Sequence, residues 1–235
     1  LIMFSITASI VYVFNDLVDK NEDLRHPKKK FRPIASEKIT DYEAKFLIIF
    51  LITFLVLIGY QRLDLLSIMA LYAITNFAYS TILKNYAVID IFIISFGFVL
   101  RVYAGVVAIN VEISNWILIT TFCLALFLAS IKRKQEFEKK YDTTRASLRF
   151  YTPELFNFYI NLSGISTIFF YSLFAITIKD QFFITIPIVI LAFFRYLFII
   201  EIYKSGESPT DTLFEDKFFI LILLVWLVVC LYLIS

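Results

Sequence analysis

Read as a pattern of apolar and polar positions, the 235 residues fall into long apolar blocks joined by short polar links. Seven blocks, roughly 44–60, 65–83, 88–109, 115–131, 156–178, 182–203 and 218–234, are long enough to cross a bilayer, which takes about 20 helical residues. Residues 1–14 read as the end of an eighth span. Lipid offers backbone groups no hydrogen-bond partner, so spanning segments are helices or closed barrels. The run from Phe218 to Val229 shows no two-residue alternation, which selects helices. No internal repeat and no second soluble domain is visible. The expected architecture is all-α: one polytopic transmembrane helix bundle over 1–235.

Charge fixes the orientation. Of the 22 Lys and Arg, eight lie in 15–45, one at Lys84, seven in 132–155 and two in 204–217. The links on the opposite side hold only Arg62 and Lys179. An 18-to-2 split predicts that the richer set is cytoplasmic. Those links are also the long ones, so chemistry is expected there. Composition removes other classes. With 60% hydrophobic and 18% charged residues the chain is far from a soluble average. Two Cys, both in apolar runs, exclude a disulfide framework, and one His excludes a multi-histidine metal site. A net charge of +2 gives no general nucleic-acid surface, and no nucleic-acid partner is expected. The chain opens at Leu1 in an apolar run, read as a fragment or processed start rather than a signal peptide.

The first cytoplasmic segment carries the densest chemistry. On a helix, Asn15, Asp19, Asp23 and Asp16 fall at about 0°, 40°, 80° and 100°, one narrow face at the end of an apolar helix. Three carboxylates this close repel unless a cation sits among them, and hard oxygen ligands suit Mg²⁺ shared with substrate phosphates. The alternative is a solvated helix end, but polar groups at a membrane exit usually have a task. Arg25, His26, Lys28, Lys29, Lys30 and Arg32 follow at once. Acid then base suits a metal–diphosphate, the metal on one side and cationic donors on the remaining oxygens. His26 reads as a turn residue before Pro27.

The string NDLVDKNED, Asn15 to Asp23, resembles the Asn-Asp-x-x-Asp-x-x-x-Asp motif of the UbiA superfamily of intramembrane prenyltransferases. RHPKKKFRPIAS (Arg25 to Ser36), YSTILKNYAVID (Tyr79 to Asp90), GFVLRVYAG (Gly97 to Gly105) and KRKQEF (Lys132 to Phe137) are similar to one branch, the decaprenyl-phosphate phosphoribosyltransferases; Tyr151-Thr152 is a weaker match. The resemblance implies a bundle of nine transmembrane helices, of which this chain holds about eight, with its first helix missing and a central cavity near the cytoplasmic face. Prenyltransferases that use isoprenyl diphosphates carry a second Asp-x-x-x-Asp motif. Here that loop reads Asp142-Thr-Thr-Arg145-Ala146, flanked by Lys132, Arg133 and Glu136, more cationic than a second metal site. Lys132 and Glu136, four residues apart, lie on one helix face within pairing reach.

The resemblance implies Mg²⁺-dependent transfer of 5-phosphoribose from phosphoribosyl diphosphate to a polyprenyl phosphate, in a bacterial inner membrane with the site facing the cytoplasm, in cell wall biosynthesis. Asn15, Asp16, Asp19 and Asp23 are the implied metal ligands, and Asp16, Asp19, Asp23, Lys132 and Arg133 the catalytic set. Lys28, Lys29, Arg32, Tyr79, Lys84, Asp90, Arg101, Glu136 and Arg145 are candidates for substrate contact, with no assignment of which base holds which phosphate. Asp90 and Arg101 share a helix face roughly 16 Å apart. Each therefore needs another partner: an aqueous cavity or phosphate for Arg101, or an ion pair to another helix. Lys84 reads as a phosphate ligand or an interfacial anchor, and Arg195 as structural. Two other readings stay open. A prenyltransferase acting on an aromatic acceptor shares the first motif and lacks the second here. A transporter or scramblase bundle would show repeats or Gly/Pro-broken helices, and only Pro187 lies within a span.

Overall fold

The computed structural model describes residues 1–26, 29–138, 146–203 and 216–234. They form α1 (Ile2–Val18), α2 (Lys20–Arg25), α3 (Asp41–Gly59), α4 (Leu63–Thr81), α5 (Ile89–Ile109), α6 (Asn115–Glu138), α7 (Pro153–Ile178), α8 (Thr185–Tyr203) and α9 (Lys217–Ile234). Short 3₁₀ turns at Lys29–Phe31, Leu83–Asn85, Ala146–Phe150 and Asp180–Ile184 join them. No strand occurs among the described residues. The protein is all-α, and seven of its helical segments are long and apolar enough to cross a membrane.

Helix boundaries follow local chemistry. α3 starts with a reciprocal cap: Thr40 Oγ1 accepts from Glu43 N at 3.3 Å, and Thr40 N donates to Glu43 Oε2 at 2.8 Å. α7 starts at Pro153, with Thr152 Oγ1 accepting from Leu155 N at 3.2 Å. α5 ends on Asn110 in the left-handed region, φ 53°, which Asn tolerates. α6 outlasts its apolar stretch. The membrane span read from the sequence ends near 131 and the helix continues to Glu138, because 132–138 is rich in helix formers and in favourable spacings such as Lys134–Glu138 at 3.8 Å.

Two compact units result, α1–α5 and α6–α9, with Ala146 and Ser147 belonging to the first. In the first unit Ile10 and Val11 of α1 pack with Leu55, Ile68, Met69, Tyr72 and Leu100 of α3, α4 and α5. Gly59, at the end of α3, approaches its neighbours closely: a Cβ there would stand 2.7 Å from Leu66 Cδ2 and from Met3 Cε. In the second unit Phe127, Ile131, Ile160, Tyr196, Ile199 and Phe219 form the core. Much apolar surface stays outside. Phe46, Ile49, Phe50 and Leu57 on α3 are exposed, as are Leu221, Leu224, Val228 and Leu231 on α9. Such surface is costly in water and natural in lipid. The chain is an integral membrane protein.

Candidate active site

The acidic motif sits where α1 gives way to α2. Asp19 closes α1, its N–H bonded to Asn15 O at 2.8 Å, and the helix restarts at Lys20. Asp23 N–H bonds in turn to Asp19 O at 2.8 Å. The expected single helix is therefore two helices, yet the four-residue hydrogen-bond spacing survives the junction and keeps the acidic residues together. Asp19 and Asp23 are buried and Asp16 is half-buried.

Two cations hold these acids. Arg32 follows the 3₁₀ turn Lys29–Phe31, its N–H bonded to Lys29 O at 2.9 Å. Its Nη1 donates to both Asp16 Oδ1 and Asp23 Oδ2, each at 2.8 Å. Lys84, in the turn after α4, donates through Nζ to Asp19 Oδ1 at 2.5 Å and stands 3.9 Å from Glu22 Oε2. The other Asp19 oxygen accepts from Asn15 Nδ2 at 3.1 Å, and Asn15 Oδ1 accepts from Ser80 Oγ at 3.0 Å. Asn15 thus orients Asp19. Burial raises the Asp16 carboxyl from its ordinary value; Arg32 opposes that rise, while Asp23 and Asp19 add to it.

Ser80 was not anticipated. Its signal is positional: it lies one helical turn before Lys84, so both meet the α1–α2 junction. Lys29 is half-buried and its charge acts on Asp16. Its backbone N–H donates to His26 Nδ1 at 3.3 Å, the turn role expected of that histidine. Tyr79 is half-buried one residue before Ser80. Lys28 and Arg145 lie outside the described residues, as does the loop around Asp142.

Asp90 is fully buried in the first turn of α5 and accepts from Ser147 Oγ at 3.3 Å. A protein hydroxyl, not solvent, meets this candidate for substrate contact. Arg101 is exposed, its guanidinium over Phe4 at 5.0 Å and Phe98 at 5.6 Å. Among the described residues no carboxylate pairs with it. Cation–π contact is the relief found for its charge.

In the second unit Arg133 is almost fully buried and Lys132 is exposed. Arg133 Nη1 donates to Glu136 Oε2, three residues further along the helix. Arg195 is structural as expected: it holds Asp216 at 3.3 and 2.6 Å and lies over Phe198 and Phe218.

The donor set fits a hard divalent cation. The Asp16 and Asp23 oxygens flanking Arg32 Nη1 are no more than twice 2.8 Å apart. A small closure would bring them to the separation that two oxygens at about 2.1 Å from Mg²⁺ require. Among the described residues no three acidic, His or Cys side chains already form a metal cage. The acids are turned toward Arg32 and Lys84.

Residues 1–223 match the model of the UbiA prenyltransferase family. The decaprenyl-phosphate phosphoribosyltransferase of Mycolicibacterium smegmatis is 31% identical, over 96% of this chain and 76% of its own length. The protein of the same name from Mycobacterium tuberculosis H37Rv is 30% identical, over 96% of this chain and 77% of its own. A UbiA homologue from Archaeoglobus fulgidus, solved bound to DMAPP and Mg²⁺, superposes with a TM-score of 0.75 at 19% identity, over 97% of this chain and 85% of that one.

Proposed function

The chain belongs to the UbiA prenyltransferase family and is a transferase, and from that premise we propose that it moves 5-phosphoribose from phosphoribosyl diphosphate to a polyprenyl phosphate, releasing diphosphate. The observation that carries the proposal is the acid–base pairing at the end of α1. Asp16, Asp19 and Asp23 meet Arg32 and Lys84. The names of the curated relatives support the choice of donor and acceptor. The charge asymmetry of the links supports a site at the cytoplasmic face of a bacterial inner membrane, where a soluble donor and a lipid acceptor meet.

In this reading Asp16, Asp19 and Asp23, with Asn15, hold Mg²⁺. When bound, the ion offsets the charge that grows on the departing diphosphate, which lowers the transition state more than the ground state. Ser80 and Asn15 hold the Asp19 carboxylate in place. Lys84 stays on Asp19 as the cation beside that buried carboxylate. Arg32 and Lys29 supply cationic donors for phosphate oxygens. The acceptor phosphate is already an anion. Its oxygen forms the new bond to C1 as the C1–diphosphate bond breaks, and the pair leaves with the diphosphate. No protein nucleophile and no strong base is needed.

Donor binding tests the proposal. Calorimetry with the purified protein and Mg²⁺ is expected to register phosphoribosyl diphosphate and no competing isoprenyl diphosphate. Binding of isoprenyl diphosphate alone would move the chain to the prenyl-transferring branch of its family.

A further inference from the structure

One nitrogen of Arg32 serves two carboxylates from different helices, Asp16 on α1 and Asp23 on α2, at 2.8 Å each. Asp23 is 2% exposed. A buried carboxylate stripped of its counter-charge is strongly unfavourable, so some cation must stand between these two acids at all times. A guanidinium and a divalent metal cannot both sit between Asp16 Oδ1 and Asp23 Oδ2, because they would occupy the same place and repel each other.

The two cations of the site differ in freedom. The Lys84 side chain is 10% exposed and held between Asp19 and Glu22. The Arg32 side chain is 36% exposed and leaves from a turn rather than a helix. Arg32 can rotate toward solvent by side-chain torsion alone, whereas moving Lys84 would leave Asp19 without its cation.

We propose that Arg32 is an exchangeable counter-cation of the acidic site: it stands in for the divalent metal before donor binding, is displaced by the metal, and then grips the donor diphosphate. The inference rests on the metal reading given above and adds a direction to it. The freed guanidinium carries a planar fork of donors matched to phosphate oxygens. Arg32 therefore competes with bare metal but cooperates with metal–diphosphate. Metal binding is coupled to the donor, and metal alone fills the site only at higher concentration than metal with donor.

The test uses the full chain in detergent and Mn²⁺ as a spectroscopic probe, with free Mn²⁺ read by electron paramagnetic resonance. Arg32→Gln is expected to bind Mn²⁺ alone about tenfold more tightly than the unmutated chain. The tightening produced by adding phosphoribosyl diphosphate should largely disappear in the variant. Equal or weaker binding of Mn²⁺ alone by Arg32→Gln overturns the exchange while leaving the metal reading in place. Absence of Mn²⁺ binding by the unmutated chain, with and without the donor, overturns the metal reading itself. A second measurement needs no variant. Phenylglyoxal should modify Arg32 faster when a saturating concentration of Mn²⁺ alone is added, because the guanidinium is then released from Asp16 and Asp23. An unchanged or slower rate with Mn²⁺ overturns the exchange.

Discussion

At the residue scale the site is a balance of buried charges, and its members should respond differently to removal. Asp16 is half-buried, and Asp16→Asn leaves Arg32 its second partner, Asp23. Turnover should fall about a hundredfold or more, with little change in the melting temperature in detergent. Near-normal turnover would remove Asp16 from the site. Lys84→Met instead leaves the buried Asp19 uncompensated, at a cost of about 3 kcal/mol. Thermal unfolding should show that loss in the absence of any substrate. The acidic face was legible because Asn15, Asp16, Asp19 and Asp23 recur at helical spacing within nine residues. Ser80 on Asn15 and Arg32 across Asp16 and Asp23 were not legible as contacts. They join residues 65, 16 and 9 apart, a closeness that only the folded chain creates.

At the element scale, hydropathy located the spans to within a few residues, because each apolar block is bounded by charge or by a cap such as Thr40 or Thr152. It does not say how far α6 runs beyond the membrane, where helix propensity and side-chain pairing carry the helix to Glu138. It also missed the break at Asp19, which no Gly or Pro announces. The start of α9 yields a pH prediction. Asp216 accepts from Phe219 N at 2.7 Å and pairs with Arg195 of α8, and the Arg195 bond holds its carboxyl below the ordinary value of 3.8. A depressed carboxyl stabilises the fold above its unfolded value and loses that contribution as pH falls through the folded one. Acidification from pH 5 toward pH 3 should therefore lower the melting temperature more in the unmutated chain than in Asp216→Asn; parallel curves would contradict the coupling.

At the scale of the whole molecule, orientation rests on the distribution of Lys and Arg. In a background without Cys123 and Cys230, a cysteine at Lys38 should react with an impermeant maleimide only in inside-out vesicles. One at Gln61 should react only in right-side-out cells. The opposite result would place the acidic site on the wrong side for a cytosolic donor.

The central claim is that the acids and bases at the α1–α2 junction serve transfer of a phosphoribosyl group to a lipid phosphate. Its most direct measurement supplies the purified protein with labelled phosphoribosyl diphosphate, Mg²⁺ and a polyprenyl phosphate, then extracts the lipid. Label in the organic phase, abolished by EDTA and greatly reduced in Asp16→Asn, is the predicted result. An organic phase without label, while the same preparation transfers an isoprenyl group to an aromatic acceptor, would contradict it.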